Sequence, residues 1–245
     1  MHQFFVDSSQ IGKEYVTITG GDVNHIRNVL RMHCGDTIRV SGSAGESFFC
    51  RIAECGDDFV QADIISEGTE TELPSKIYLF QALPKGDRME TVIEKAVELG
   101  VHEIIPVAMK YCVVKLDEKK AAAKVRKWQA QAETAAKQSK RSIIPKVHEV
   151  VSYQEALRMA NECDLRLVPY ENEEGMAATQ NVMERVQTGQ SISIIIGPEG
   201  GFAPEEIEKA RETMDVISLG HRILRTDTAG MCILSLLMLR LETLQ

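Results

Sequence analysis

A chain of 245 residues with 44% hydrophobic and 26% charged residues has the composition of a folded globular protein, long enough for one large or two modest domains, and not that of a disordered or fibrous one. Its longest strongly apolar run, Ala229 to Leu241, is broken by Gly230, Ser235 and Arg240 and falls short of the roughly 18 consecutive apolar residues of a membrane span. The net charge of −8 is uneven: residues 1–72 carry 5 Lys and Arg against 12 Asp and Glu, whereas residues 110–146 carry 11 against 3. A local basic stripe of that kind can face RNA in an acidic protein, although charge alone equally fits a solvated helix face.

The amino terminus "MHQFFVDSSQ" has no basic segment followed by a long apolar stretch, so a cytoplasmic location is expected. Up to residue 72, short apolar runs ("QFFV", "EYVTI", "DTIRVS", "SFFCRIAE", "DFVQADII") are separated by Gly, Asp and Ser, the pattern of a small β-barrel or sandwich. One helical insert, "DVNHIRNVLR", fits between the second and third strands, with Asp22 as its cap and Arg27 and Arg31 one turn apart. The polar segment "SEGTETELPSK" reads as a linker, which places a domain boundary near Leu73 and gives domains 1–72 and 73–245.

Beyond it, apolar strands ("KIYLFQAL", "EIIPVAM", "LRLVPY", "SISIII", "DVISLG") alternate with helical patterns such as "GDRMETVIEKAVELG" and "PEEIEKARETM". That alternation predicts a mostly parallel sheet covered by helices, with ligands bound beyond the carboxyl ends of the strands.

The segment "SIIIGPEGGFAPEEIEKA" reads as strand, glycine loop and helix. Its Pro204, Glu205 and Glu206 put acidic charge in the first helical turn, where a phosphate would otherwise bind, so the loop suits a nucleoside lacking phosphates. In "LGHRILRTDTAG", Thr226, Asp227 or Thr228 can cap an apolar final helix that needs covering by its own domain or a second subunit. Arg222 and Arg225 then need carboxylate partners, a route to solvent or an anionic substrate. The six cysteines contain no C-x-x-C and form no ligand cluster with the six histidines, so no metal is expected. No histidine is spaced for a hydrolase triad.

Taken together, "HIRNVLRMHCGD", "LPKGDRMETVIEKAVELGV", "IIPV", "AKQSKRSIIPKV", "IGPEGGF" and "LGHRILRTDTA" resemble the bacterial methyltransferases that modify ring nitrogen N3 of a uridine in 16S, small-subunit, ribosomal RNA. These belong to the SPOUT class, which uses S-adenosyl-L-methionine. The resemblance implies an α/β methyltransferase domain with a trefoil knot, a small amino-terminal PUA-like β-barrel that binds RNA, and a homodimer. It implies a cofactor site at Val168, Pro169, Tyr170 and Glu171, at Gly197, Pro198, Glu199, Gly200 and Gly201, and at Leu219, Gly220, Ile223 and Leu224. Arg225 and Arg222 are the expected anion-stabilising residues, with Glu199 or Asp227 taking a proton or orienting an arginine. Arg27, Arg31, Lys85, Arg88, Lys137 and Arg141 are the expected RNA contacts. Asp227, where the family has Glu, departs from its pattern, as do Tyr111, Cys112 and Lys137. Ribose 2′-O methylation of transfer RNA and a non-catalytic ribosome-binding role are the alternatives.

Overall fold

The computed structural model describes residues 1–244 and divides into two compact units, Met1–Glu72 with Ala136–Ile144, and Leu73–Ala135 with the chain from Pro145 onward. The first unit holds β1 (His2–Val6), β2 (Tyr15–Thr19), β3 (Thr37–Gly42), β4 (Ser47–Cys55) and β5 (Phe59–Glu67) in the order β1-β3-β4-β5-β2. Only β1 and β3 run parallel. In β2 the period-two alternation turns Val16 and Ile18 inward, where they join Phe4, Ile38, Val40, Ile52 and Val60 in one apolar cluster. β1 and β2 are the outer strands, and among the described residues no ladder joins them, so the expected barrel is not closed by hydrogen bonds.

The insert after β2 differs from the expected amphipathic helix. α1 (Gly21–Asn24) is capped by Gly20, not Asp22, and passes into a π-helical turn over His25–Val29, with Leu30 N donating to His25 O at 2.8 Å. The wider turn buries Ile26, and Arg31 leaves it at φ 53°, so Arg27 and Arg31 are not stacked one α-turn apart.

Residues Ala136–Ile144 belong to the first unit, and Arg141 is one of the residues that tie them to it. Its guanidinium is 3% exposed and pairs with the Glu72 carboxylate, which also accepts from the backbone N–H groups of Ser142 (2.8 Å) and Ile143 (3.3 Å). Arg39, also buried, donates to Ser47 Oγ at 2.8 Å and Thr69 O at 2.9 Å. Arg141 is therefore a structural ion-pair residue and not the RNA contact expected of it.

The second unit contains β6 (Lys76–Ala82), α2 (Arg88–Glu98), β7 (Glu103–Ala108), α3 (Glu118–Ser139, whose last turn belongs to the first unit), β8 (Lys146–Val147), β9 (Val151–Ser152), α4 (Tyr153–Ala160), β10 (Leu165–Pro169), α5 (Ala177–Arg185), β11 (Ser191–Ile196), α6 (Pro204–Arg211), β12 (Asp215–Ile217) and α7 (Thr226–Glu242). Its strands form a parallel sheet ordered β12-β10-β11-β6-β7-β8, with β9 also on β7. The near-continuous apolar runs of β6 and β11 follow from this, since both faces of a helix-covered parallel sheet are buried. α2 buries Met89, Val92, Ile93, Ala96 and Val97, one helical stripe. Because β10 lies between β11 and β12 with Pro169 level with Ile217, the loops leaving these three strands emerge side by side. No helix among the described residues is long and apolar enough to cross a membrane.

Truncating Arg141 leaves the partly buried Glu72 carboxylate without its cation. Arg141→Ala is expected to cost roughly 3–5 kcal/mol of stability in urea denaturation, the range for breaking a buried pair; a loss below about 1 kcal/mol would return Arg141 to the RNA surface.

Candidate active site

The loops after β10, β11 and β12 enclose a cavity of about 370 Å³ at the carboxyl end of the sheet. Its wall is made by Pro169, Tyr170 and Glu171 from the first loop, and by Ile196 to Glu199, Gly201 and Phe202 from the second. Leu219, Gly220 and Arg222 to Arg225 come from the third, Thr226 and Ala229 from the start of α7, and Arg88 from α2.

Side-chain packing holds the glycine loop in place. The Phe202 ring lies so near the backbone at Gly197 that a Cβ there would fall 2.8 Å from it. Behind, Phe202 meets Tyr170 and Tyr153 edge-on, with ring centroids 6.1 and 6.5 Å away. Tyr153 donates to Glu206 O at 2.6 Å, and burial pushes its phenol well above the ordinary range. Gly201 has φ +74°, a backbone conformation that favours glycine, and Glu171 Oε1 lies over it, 2.5 Å from where a Cβ would stand.

A buried chain of hydrogen bonds ties this loop to α7. Gln81 Nε2, from β6, donates to Thr226 Oγ1 at 2.9 Å, and Thr226 Oγ1 donates to Gly197 O at 2.6 Å. None of Thr226, Asp227 and Thr228 is the helix cap, because Arg225 occupies that position with extended backbone angles and no side-chain capping bond. Thr226 has turned its hydroxyl to Gly197 instead.

The charged residues fall into two groups. Arg222 and Arg225 are exposed at the cavity, and no hydrogen bond or ion pair among the described residues engages either guanidinium. Among the carboxylates, Glu171 is exposed with no hydrogen bond or ion pair among the described residues, whereas Glu199, Glu205 and Glu206 are committed. Glu199 Oε1 accepts from Lys85 N at 2.9 Å and lies 3.5 Å from Arg88 Nη1. Glu206 accepts from Lys110 N and Ala203 N, both at 2.9 Å, and Glu205 pairs with Lys110 Nζ at 2.5 Å. That pairing holds the Glu205 carboxyl below and the Lys110 ammonium above its ordinary range.

A model of the RNA methyltransferase domain matches residues 71–238, and one of the RNA methyltransferase PUA domain matches residues 18–65. The chain belongs to the RNA methyltransferase family. Ribosomal RNA small subunit methyltransferase E of Bacillus subtilis (strain 168) is 37% identical across 100% of this chain and 99% of its own. The solved structure of the protein so named from Neisseria gonorrhoeae, bound to S-adenosyl methionine, is 30% identical with a TM-score of 0.81, covering 96% of this chain and 95% of that one. A methyltransferase from Legionella pneumophila, in complex with the bound cofactor SAM, has the same identity and TM-score and covers 96% of each chain.

In this RNA methyltransferase the cavity gathers eleven of the thirteen residues expected at the cofactor site: Pro169, Tyr170, Glu171, Gly197, Pro198, Glu199, Gly201, Leu219, Gly220, Ile223 and Leu224. Val168 does not reach it, being fully buried within β10, and Gly200 faces Tyr111. Asp227 does not line it either, and its buried Oδ1 has no hydrogen-bond partner. Arg88, expected on the RNA surface, is part of the wall, with Lys85 beside it through Glu199. Arg27 donates to Gly56 O at 2.5 Å and pairs with Asp57, Lys137 pairs with Asp22 at 3.5 Å, and Arg31 is exposed. Sequence reasoning did not assign Ile196, Phe202, Thr226, Ala229 or Gln81 to the site; the first four carried a signal, lying within "IGPEGGF" and "LGHRILRTDTA", and Gln81 carried none.

Removing the Thr226 hydroxyl without changing side-chain shape leaves Gln81 Nε2 one acceptor short and Gly197 O without this donor. Thr226→Val is expected to destabilise the second unit by roughly 1–3 kcal/mol and to speed amide exchange over residues 197–201; unchanged exchange there would show that the hydroxyl does not hold the loop.

Proposed function

We propose that this chain transfers a methyl group from S-adenosyl-L-methionine to ring nitrogen N3 of a specific uridine in 16S, small-subunit, ribosomal RNA. The observation that carries the reading is a three-loop cavity bearing two arginines that the protein leaves unpaired.

The residues present fit the cofactor. A volume of about 370 Å³ lies within the usual range of ligand pockets, and Ile196, Phe202, Leu219, Leu224 and Ala229 supply an apolar wall beside loop backbone. Glu171, pressed against Gly201, offers a carboxylate to a cationic group. The first-turn amides of α6 are not offered to a phosphate, because Glu205 and Glu206 crowd that terminus. When bound, S-adenosyl-L-methionine supplies an electrophilic methyl group.

Uracil N3–H is a weak acid, and its ring anion is the better nucleophile, so the protein must stabilise negative charge and accept a proton. Arg225 places a cation against the developing charge on a uracil oxygen, and Arg222 grips the adjoining phosphate; both are exposed in the free protein and act as preorganised charge once the RNA covers them. Glu199, in the wall, takes the N3 proton on the oxygen that Lys85 N does not engage. Asp227, outside the wall, is left a structural part in the first turn of α7.

The strand order β12-β10-β11-β6, with the last three sheet loops converging on one cavity, supports a trefoil-knotted path. Leu236 and Leu239 stand out from α7 at 38% and 59% exposure, apolar residues one turn apart on a helix whose opposite side buries Ile233, Leu234, Leu237 and Leu241, which supports a homodimer. The protein acts in the cytoplasm on the small ribosomal subunit or its RNA, with no metal.

Arg225→Ala is expected to abolish labelled-methyl transfer to unmodified small-subunit particles while calorimetric cofactor binding persists; near-normal turnover would remove Arg225 from the chemistry. Mass spectrometry of the product nucleoside should give 3-methyluridine, and a ribose-methylated product would refute the N3 assignment. Glu199→Gln is expected to lower kcat by roughly 10²–10⁴-fold and to flatten the acid limb of the pH profile, whereas an unchanged profile would leave Glu199 only its bond to Lys85.

A further inference from the structure

Tyr111 stands beside the cavity without lining it, and 43% of the residue is exposed. The turn after β7 carries it: Cys112 N donates to Met109 O at 3.1 Å and Cys112 is buried, while the Tyr111 side chain emerges at 43% exposure. The backbone of this turn is anchored to α6 through Lys110 N and Glu206, so the phenol is exposed on a rigid support. A Cβ on Gly200 would fall 2.9 Å from Tyr111 Cβ and 3.3 Å from its carbonyl oxygen. Tyr111 is therefore seated directly on the glycine loop, next to Glu199.

Charged groups lie near it. Lys110 Nζ, paired with Glu205, lies 5.8 Å from the ring centroid, and Glu199, next to Gly200, accepts from the backbone N–H of the exposed Lys85 and lies 3.5 Å from Arg88 Nη1. A rigid, half-exposed aromatic ring among lysines and an arginine offers a flat face to a nucleobase and positive charge to its phosphates. An apolar protein partner would use the ring but not the cations.

We propose that Tyr111 is a stacking platform for a nucleobase of the substrate RNA flanking the one delivered to the cavity. It is a positioning residue, and the inference rests on the RNA methyltransferase reading above. Stacking satisfies any base, so Tyr111 governs how the strand is held more than which letter is read.

The chain has a single tryptophan, buried Trp128, so the emission that Tyr111→Trp adds over the wild type reports on this position. Titration of that variant with a uridine-rich single-stranded RNA oligonucleotide is expected to quench the added emission saturably. Tyr111→Ala is expected to raise the KM for unmodified small-subunit particles roughly five- to hundred-fold, as stacking on one base is worth. Its cofactor affinity and thermal midpoint should stay those of the wild type, and Tyr111→Phe should restore the KM. An unquenched indole, or a normal KM in Tyr111→Ala, would overturn the platform while leaving wild-type methyl transfer, and hence the function, intact. Added emission that changes with protein concentration in the absence of RNA would mean that Tyr111 packs on a second copy of the chain, which also overturns it. Failure of the wild type to methylate the particles would overturn the functional reading and the platform with it.

Discussion

The hydroxyl of Thr226 is where three separate parts of the second unit are joined. It accepts from Gln81 of β6 and donates to Gly197 of the loop after β11, while its own backbone begins α7. Because these groups are buried, each partner would be costly to leave alone, which makes the contact directional where the surrounding apolar packing is not. Gly230, one turn further along α7, faces Gln81 and Ile196. The root of Arg225, the residue before Thr226, is thereby fixed relative to the glycine loop. The cavity is thus set by a core contact, although its charged groups face solvent.

The same economy governs the start of α6. A helix amino terminus ordinarily attracts anions, and a glycine loop feeding into one invites a phosphate-binding interpretation. Here Glu206 reaches back to Ala203 N and across to Lys110 N, while Glu205 holds the Lys110 ammonium. The terminus is filled from within, and its carboxylates hold the turn that carries Tyr111. Acidic residues that discourage phosphate at the loop also build the surface beside it.

Much of this was legible from residue patterns. Alternating apolar residues marked β2, continuous apolar runs marked β6 and β11, and "GPEGGF" and "LGHRIL" marked two of the three loops that meet. What escaped had physical reasons. Arg141 sits in a basic stretch and looks like an RNA contact; only its pairing with Glu72, 69 positions away, makes it part of a core. The turn after α1 widened to bury Ile26, a tertiary demand that no local propensity announces. Asp227 looked like a cap, but a cap is defined by backbone angles, and Arg225 has them. Gln81 was hidden in a strand that reads as purely apolar, and its role exists only because Thr226 lies opposite.

The arginines sort themselves by what the protein does with their charge. Arg39 and Arg141 are buried, and each is matched: Arg141 by a carboxylate, Arg39 by hydroxyl and carbonyl oxygens, with burial pulling its guanidinium below the ordinary range. Arg158 and Arg185 lie at the surface and pair with neighbouring carboxylates. Arg222 and Arg225 follow neither pattern, for they lie at the wall of a cavity, near a buried helix, with no protein anion engaging them. Exposure makes that arrangement tolerable in the free protein, and the fixed backbone beneath it spares an arriving anion the cost of ordering the site. Among the described residues no protein carboxylate matches Arg222 or Arg225, and on the proposed reading an RNA substrate neutralises them.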